Sequence, residues 1–216
     1  MSGLAHRWER LCAALDGDAQ RLQTLGEALR AAYDGPTRRY HTGRHLAEVL
    51  DALEELAPAA SPAATLAVWF HDAVYDPVRG DNEERSARWA EAALADAGLE
   101  AALIARVGAM VRATAAHDLD QPSGAAYPDE LAAVLDADLA ILGAAPERCR
   151  EYAAAIRAEY SHLDEPAFRA GRRAVLQALA ARRRLYRTAA GAARWEAAAR
   201  RNLAAELAEL AQPDPA

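Results

Sequence analysis

AVWFHDAVYD, residues 67–76, sets a histidine and an aspartate side by side within an apolar and aromatic run. A carboxylate in such surroundings needs a partner, because burying an uncompensated charge costs several kcal/mol or more. Just upstream, Ser61-Pro62 reads as a helix start by two rules, a serine cap followed by proline at the first helical position. The helix that follows carries Leu66, Trp69 and Phe70 up to His71. The polar pair therefore asks what it is paired with, and the chain offers His41 and His45 before it and Asp136 and Asp138 after it.

Outward from this stretch, apolar residues recur at three- and four-residue spacings and β-branched residues are sparse, which predicts an all-α fold. Leu4 to Tyr33 reads as two helices, or one interrupted at Asp16-Gly17-Asp18, and Gly35-Pro36 ends it. Further helices are expected over about 42–56, from Asp81 as cap to Gly98, over 99–116, 129–142, 146–162, 166–188 and 192–210. His117 to Pro128 is the longest irregular stretch and a candidate active-site lid. Trp195, Leu203, Leu207 and Leu210 form an apolar stripe that packs within the chain or against a second subunit; packing within the chain is the expectation.

A chain of 216 residues suffices for one full core. Its basic residues are all arginine, and the net charge of -7 offers no general attraction to a nucleic-acid polymer or an anionic membrane. Cys12 and Cys149 are isolated, which suits a reducing cytosol and excludes a zinc-ribbon spacing. No apolar run approaches the roughly 20 residues of a membrane span, and the N-terminus lacks a signal-peptide core, so a cytoplasmic protein is expected.

The chemistry-bearing residues fall on three of the expected helices. His45 aligns with Val49 and Leu53 and so points inward, and His41 shares its face if the helix begins by Tyr40. Leu131, Leu135, Asp138 and Leu142 lie on one stripe, which puts the Asp138 carboxylate among core leucines. Asp136 points off that stripe and reads as a supporting or solvated residue. Together His45, His71, Asp72 and Asp138 make a mixed nitrogen and oxygen shell for a divalent metal ion, with Mn, Fe, Co, Mg and Zn all admitted. No thiolate is among them, which argues against a structural zinc.

The order H, then HD, then D, within the longer words YHTGRH, WFHDAVYD, DNEERSA and DADLAILG, resembles the HD superfamily, and in particular a bacterial branch of predicted metal-dependent HD phosphohydrolases. The likeness covers about residues 38–145, with Glu159-Tyr160 and Gly171 to Arg173 in keeping with it. It implies a single HD-type helical domain over 1–216, with a metal-site core at 38–145 and extra C-terminal helices at 146–211. It also maps His45, His71, Asp72 and Asp138 onto the family's metal ligands. His41 stands where related cyclic-nucleotide phosphodiesterases keep a histidine that protonates the leaving oxygen, with Thr42 here in place of their asparagine. Two-metal relatives add histidines; His117 is one such candidate, but Asn82 occupies another expected position, so one metal is favoured, with His117 as a substrate contact or second-site ligand.

The activity implied is phosphoester or pyrophosphate hydrolysis of a small, nucleotide-like substrate, with metal-activated water as the nucleophile. Glu83 or Glu84 would orient or deprotonate that water, their alternative being a plain dipole-complementing first turn. Arg38, Arg39, Arg44, Arg172 and Arg173 are candidates for holding phosphate oxygens. Competing readings are a binding module that kept the ion without turnover, and a di-iron oxygenase, which would need more ligands.

Overall fold

A computed structural model describes residues 2–116 and 127–212. Among them the chain is all-helical, with helices α1 Ser2–Cys12, α2 Ala19–Tyr33, α3 Gly43–Leu56, α4 Pro62–Phe70, α5 Asn82–Asp96, α6 Ala101–Thr114, α7 Pro128–Asp138, α8 Pro146–Glu159, α9 Glu165–Ala181 and α10 Ala189–Ala211. A 3-10 turn, Leu139–Gly143, continues α7. None of these helices is long and apolar enough to cross a membrane. His117 and most of the expected lid lie outside the described residues.

Helix α4 is the axis of the bundle. Its seven buried residues cover every side of the cylinder, as expected for a helix surrounded by others. It packs against α3, α5, α6 and α7. Ser61 Oγ accepts the Ala64 N–H at 3.3 Å and Pro62 takes the first turn, so its start follows the local rule read from sequence. The hairpin of α5 and α6 turns at Gly98, whose φ of +78° suits only glycine without strain. One apolar core runs from Trp8 to Leu210 and takes in Trp195 and Leu203, so the C-terminal helix packs on the same body.

Several boundaries differ from the periodicity. Helix α3 begins at Gly43 because Thr42 Oγ1 accepts the Arg44 N–H, which leaves His41 in the preceding turn and not on a shared helical face with His45. Asp81 does not cap α5 with its side chain, since both its oxygens are taken by Arg79 at 2.7 Å. The helix expected to run to residue 142 ends its α-geometry at Asp138. The helix expected to reach 188 stops at Ala181. In the segment that follows, carboxylates take the backbone donors a longer helix would have used: Glu196 accepts from the N–H groups of Leu185 and Tyr186, and Asp136 from those of Arg187 and Thr188. Asp136 is thus not solvated, and its carboxylate is committed to Arg187 and Thr188. It is buried, and its carboxylate also accepts the Thr188 hydroxyl at 2.7 Å.

Candidate metal centre

The mutual packing of α3, α4 and α7 brings together the places where their polar residues stand. His45 lies in the first turn of α3, on the buried face with Val49 and Leu53. His71 follows the last residue of α4, Asp72 the next, and Asp138 closes α7. Nδ1 of His71 is 2.7 Å from the Val68 carbonyl oxygen, an acceptor only, so this nitrogen carries a proton and Nε2, the position that would bear the lone pair in a neutral ring holding a metal, points inward.

Nε2 meets three other potential ligand atoms. His71 Nε2 is 3.1 Å from His45 Nε2, 3.0 Å from Asp72 Oδ2 and 3.5 Å from Asp138 Oδ1. His45 Nε2 is 3.4 Å from each of the same carboxylate oxygens. His45, His71 and Asp72 form a group able to hold a metal ion. Ligand atoms bonded at ~2.1 Å to a common ion stand about 3.0 Å apart at right angles and about 3.4 Å apart at tetrahedral angles, so the observed spacings fit a shared cation. The electrostatics agree. Burial alone would drive the His71 and His45 imidazoles toward neutrality, yet the adjacent Asp72 and Asp138 carboxylates outweigh it and hold both above the ordinary histidine range. Burial likewise opposes charge on Asp72, but His71, His41 and His45 hold it well below the usual carboxylate range. This cluster demands positive charge.

A cavity of about 160 Å³ opens onto the cluster, bordered by His41, His45, Asp72, Asp138, Glu83 and Tyr40 among others. His41 reaches it from the turn before α3, with Nδ1 2.7 Å from Glu159 Oε2 and Nε2 3.9 Å from Asp72 Oδ2. Its ring stacks on Tyr75 at 4.0 Å. The Tyr40 hydroxyl is buried and has no hydrogen-bond partner among the described residues. Glu83 borders the cavity, whereas Glu84 turns to the surface and pairs with Arg88 and Arg112. Asn82 is occupied elsewhere: its amide accepts from the Asp76 N–H and donates to the Asp76 carbonyl, and Ser86 does the same to Val74. The DNEERSA stretch thereby fastens the loop that follows the His-Asp pair.

None of the arginines expected to hold phosphate lines the cavity. Arg38 is buried, and its guanidinium donates to the backbone carbonyls of His41, Asp72 and Ala73 at 2.8–2.9 Å while lying over the rings of Tyr33 and Tyr75. It clamps the two histidine-bearing turns to one another. Arg39 is exposed and bonds the carbonyls of Pro36 and Arg38. Arg44 pairs with Glu48 and Glu151 on the outer face of α3. Arg172 is tied to Glu206 and to the hydroxyl of Tyr152, and Arg173 to the Leu210 carbonyl.

The residue whose role sequence reasoning missed is Glu159. Its Oε1 accepts the consecutive N–H groups of Arg39, Tyr40 and His41 at 2.7–3.0 Å, and its Oε2 accepts the Tyr75 hydroxyl at 2.9 Å besides facing His41. Burial works against its charge, but His41 and the backbone amides hold the carboxyl down at about 2. One local signal existed. Glu159 is the last residue of α8, where the helix dipole disfavours an acid, so its presence there needs a partner from elsewhere. Comparison of the chain with protein-family models, with curated proteins and with solved structures finds no match, so the reading of this site rests on its own residues.

Proposed function

We propose that this chain is a metal-dependent phosphohydrolase of the HD type, acting on a phosphoester or pyrophosphate of a small substrate. The observation that carries this reading is the convergence of His45, His71, Asp72 and Asp138 donor atoms, within 3.5 Å of the two Nε2 positions, beneath a cavity edged by a separately oriented histidine. A divalent ion held by these four residues supplies Lewis acidity toward water and toward phosphoryl oxygens.

The chain's own residues then divide the remaining work. His41, its Nδ1 anchored on Glu159, presents Nε2 to the cavity and donates a proton to the leaving oxygen. Glu83 orients the attacking water and accepts its proton. The unpartnered Tyr40 hydroxyl donates to a substrate oxygen. The cavity is smaller than the ~300–1,000 Å³ of pockets that enclose whole drug-sized ligands, so it takes the reacting phosphoryl group while the rest of the substrate lies outside. With three carboxylates and no arginine on its wall, it receives a phosphate only when a cation is present.

The test is elemental analysis of protein purified without chelator or affinity metal, wild type beside Asp138→Ala, followed by phosphate release from a panel of monoesters and pyrophosphate with the ion found. Near-stoichiometric metal lost in the variant, with metal-dependent phosphate release in the wild type, is expected. A wild type that holds no metal even after addition of Mn, Fe or Mg overturns the reading.

A further inference from the structure

The cavity over the metal cluster is bordered by two unlike kinds of residue. Beside its histidines and carboxylates stand four aliphatic side chains. Leu139, Ile141 and Leu142 come from the 3-10 turn that follows Asp138, and Leu179 from the last turn of α9. A 3-10 helix eclipses positions i and i+3, so Leu139 and Leu142 share one side of that turn. Leu139, Ile141 and Leu179 are only half-buried, so the described residues leave part of this hydrocarbon uncovered.

What the border lacks is a permanent cation. The chain has no lysine, all of its 25 arginines lie among the described residues, and none of them borders the cavity. The arginines that touch cavity residues are committed: Arg38 donates to the His41 and Asp72 carbonyls, Arg148 lies over the Tyr40 ring but pairs with Glu48, and Arg172 meets the Tyr152 hydroxyl but pairs with Glu206. Thr114, also on the border, gives its hydroxyl proton to the Val111 carbonyl at 2.7 Å. Among three carboxylates, one divalent ion matches the charge of one phosphoryl group. A second anionic group on the substrate would enter without a partner, and an unpaired buried charge is costly. Hydrocarbon instead gains by covering the leucines.

We infer that this site selects a phosphate monoester of an apolar alcohol, whose first carbons lie against Leu139, Ile141, Leu142 and Leu179, and disfavours substrates with a second anionic group beside the reacting phosphoryl, pyrophosphate among them. The inference rests on the hydrolase reading and narrows it to phosphoesters.

Non-hydrolysable phosphonates separate binding from turnover. The full chain, loaded with whichever of Mn, Fe and Mg it takes up, is titrated calorimetrically with methylphosphonate, butylphosphonate and 3-phosphonopropionate. These are the bare head group, the same group on a hydrocarbon chain, and a chain of similar length ending in a carboxylate. Butylphosphonate is expected to bind one-to-one, about tenfold more tightly than either of the others. Leu179→Ser is expected to bring butylphosphonate toward the affinity of methylphosphonate, and the wild-type comparison decides the matter even if that variant does not fold. Binding of methylphosphonate with no gain for butylphosphonate, or equal affinity for butylphosphonate and 3-phosphonopropionate, overturns the inference and leaves the hydrolase reading standing. A chain that takes up none of these ions, or a loaded chain that binds none of the three phosphonates, overturns the hydrolase reading and this inference with it.

Discussion

Glu159 Oε2 stands 2.7 Å from His41 Nδ1 although the two residues are 118 positions apart, and the same carboxyl group gathers the three amides of the turn that carries His41. The last turn of α8 thus sets both the position and the ring orientation of the cavity histidine that, among the described residues, lies outside the His45, His71 and Asp72 group. The cluster itself depends on α3, α4 and α7.

Glu159→Gln keeps the volume but replaces the carboxylate that faces His41 Nδ1. It is expected to lower kcat about 10–100-fold while metal stoichiometry stays at the wild-type value. Steady-state kinetics paired with elemental analysis check this; full activity in the variant would remove His41 from the proton-transfer role.

The same residue carries an acid-stability signature. Its carboxyl titrates at about 2 in the folded chain against an ordinary value of 4.5, so its stabilising contribution is fully present above pH 4.5 and is lost as pH falls toward 2. The stability gap between wild type and Glu159→Gln should be constant near neutrality and shrink across that acid window. Urea denaturation at a series of pH values measures the gap, and a gap that widens toward acid contradicts the assignment.

Arg38 discriminates a clamp from a phosphate ligand. Arg38→Ala leaves three carbonyls without their donor and is expected to cost about 2–4 kcal/mol of stability, seen as a lowered Tm. Inorganic phosphate affinity of the metal-loaded protein should be retained in whatever fraction remains folded. Loss of phosphate affinity without loss of Tm would restore the phosphate-binding reading.

Asp136 and Asp138 should separate in opposite ways despite being two residues apart. Asp136→Ala strips the acceptor from the Arg187 and Thr188 amides and the Thr188 hydroxyl, with an expected loss of about 2–4 kcal/mol and unchanged metal content. Asp138→Ala should lose metal and leave the chelator-treated protein nearly as stable as wild type. Thermal melts of both variants with and without chelator decide between these patterns.

Phosphate binding should require the cation. With Asp72, Asp138 and Glu83 on the cavity wall, titration of chelator-treated protein with inorganic phosphate is expected to give no heat, and titration after addition of Mn to give a single site. Equal binding with and without the ion would place phosphate elsewhere on the molecule.

What the sequence determined by itself is what neighbours along the chain decide. The all-helical class follows from the three- and four-residue apolar spacing, the start of α4 from Ser61-Pro62, and the inward aim of His45 from its stripe with Val49 and Leu53, because helical geometry is a local property. His45, His71 and Asp72, which form a group able to hold a metal ion, were candidates from the sequence as well. Only the tertiary structure decided which charged groups are spoken for. Arg38 and Asp136 look available in sequence, yet each is consumed by backbone groups of a distant turn, while Glu159, given no site role in sequence, meets His41 from across the chain. Buried charges take whatever donors or acceptors the packed elements bring to them, and that pairing exists only once the helices have met.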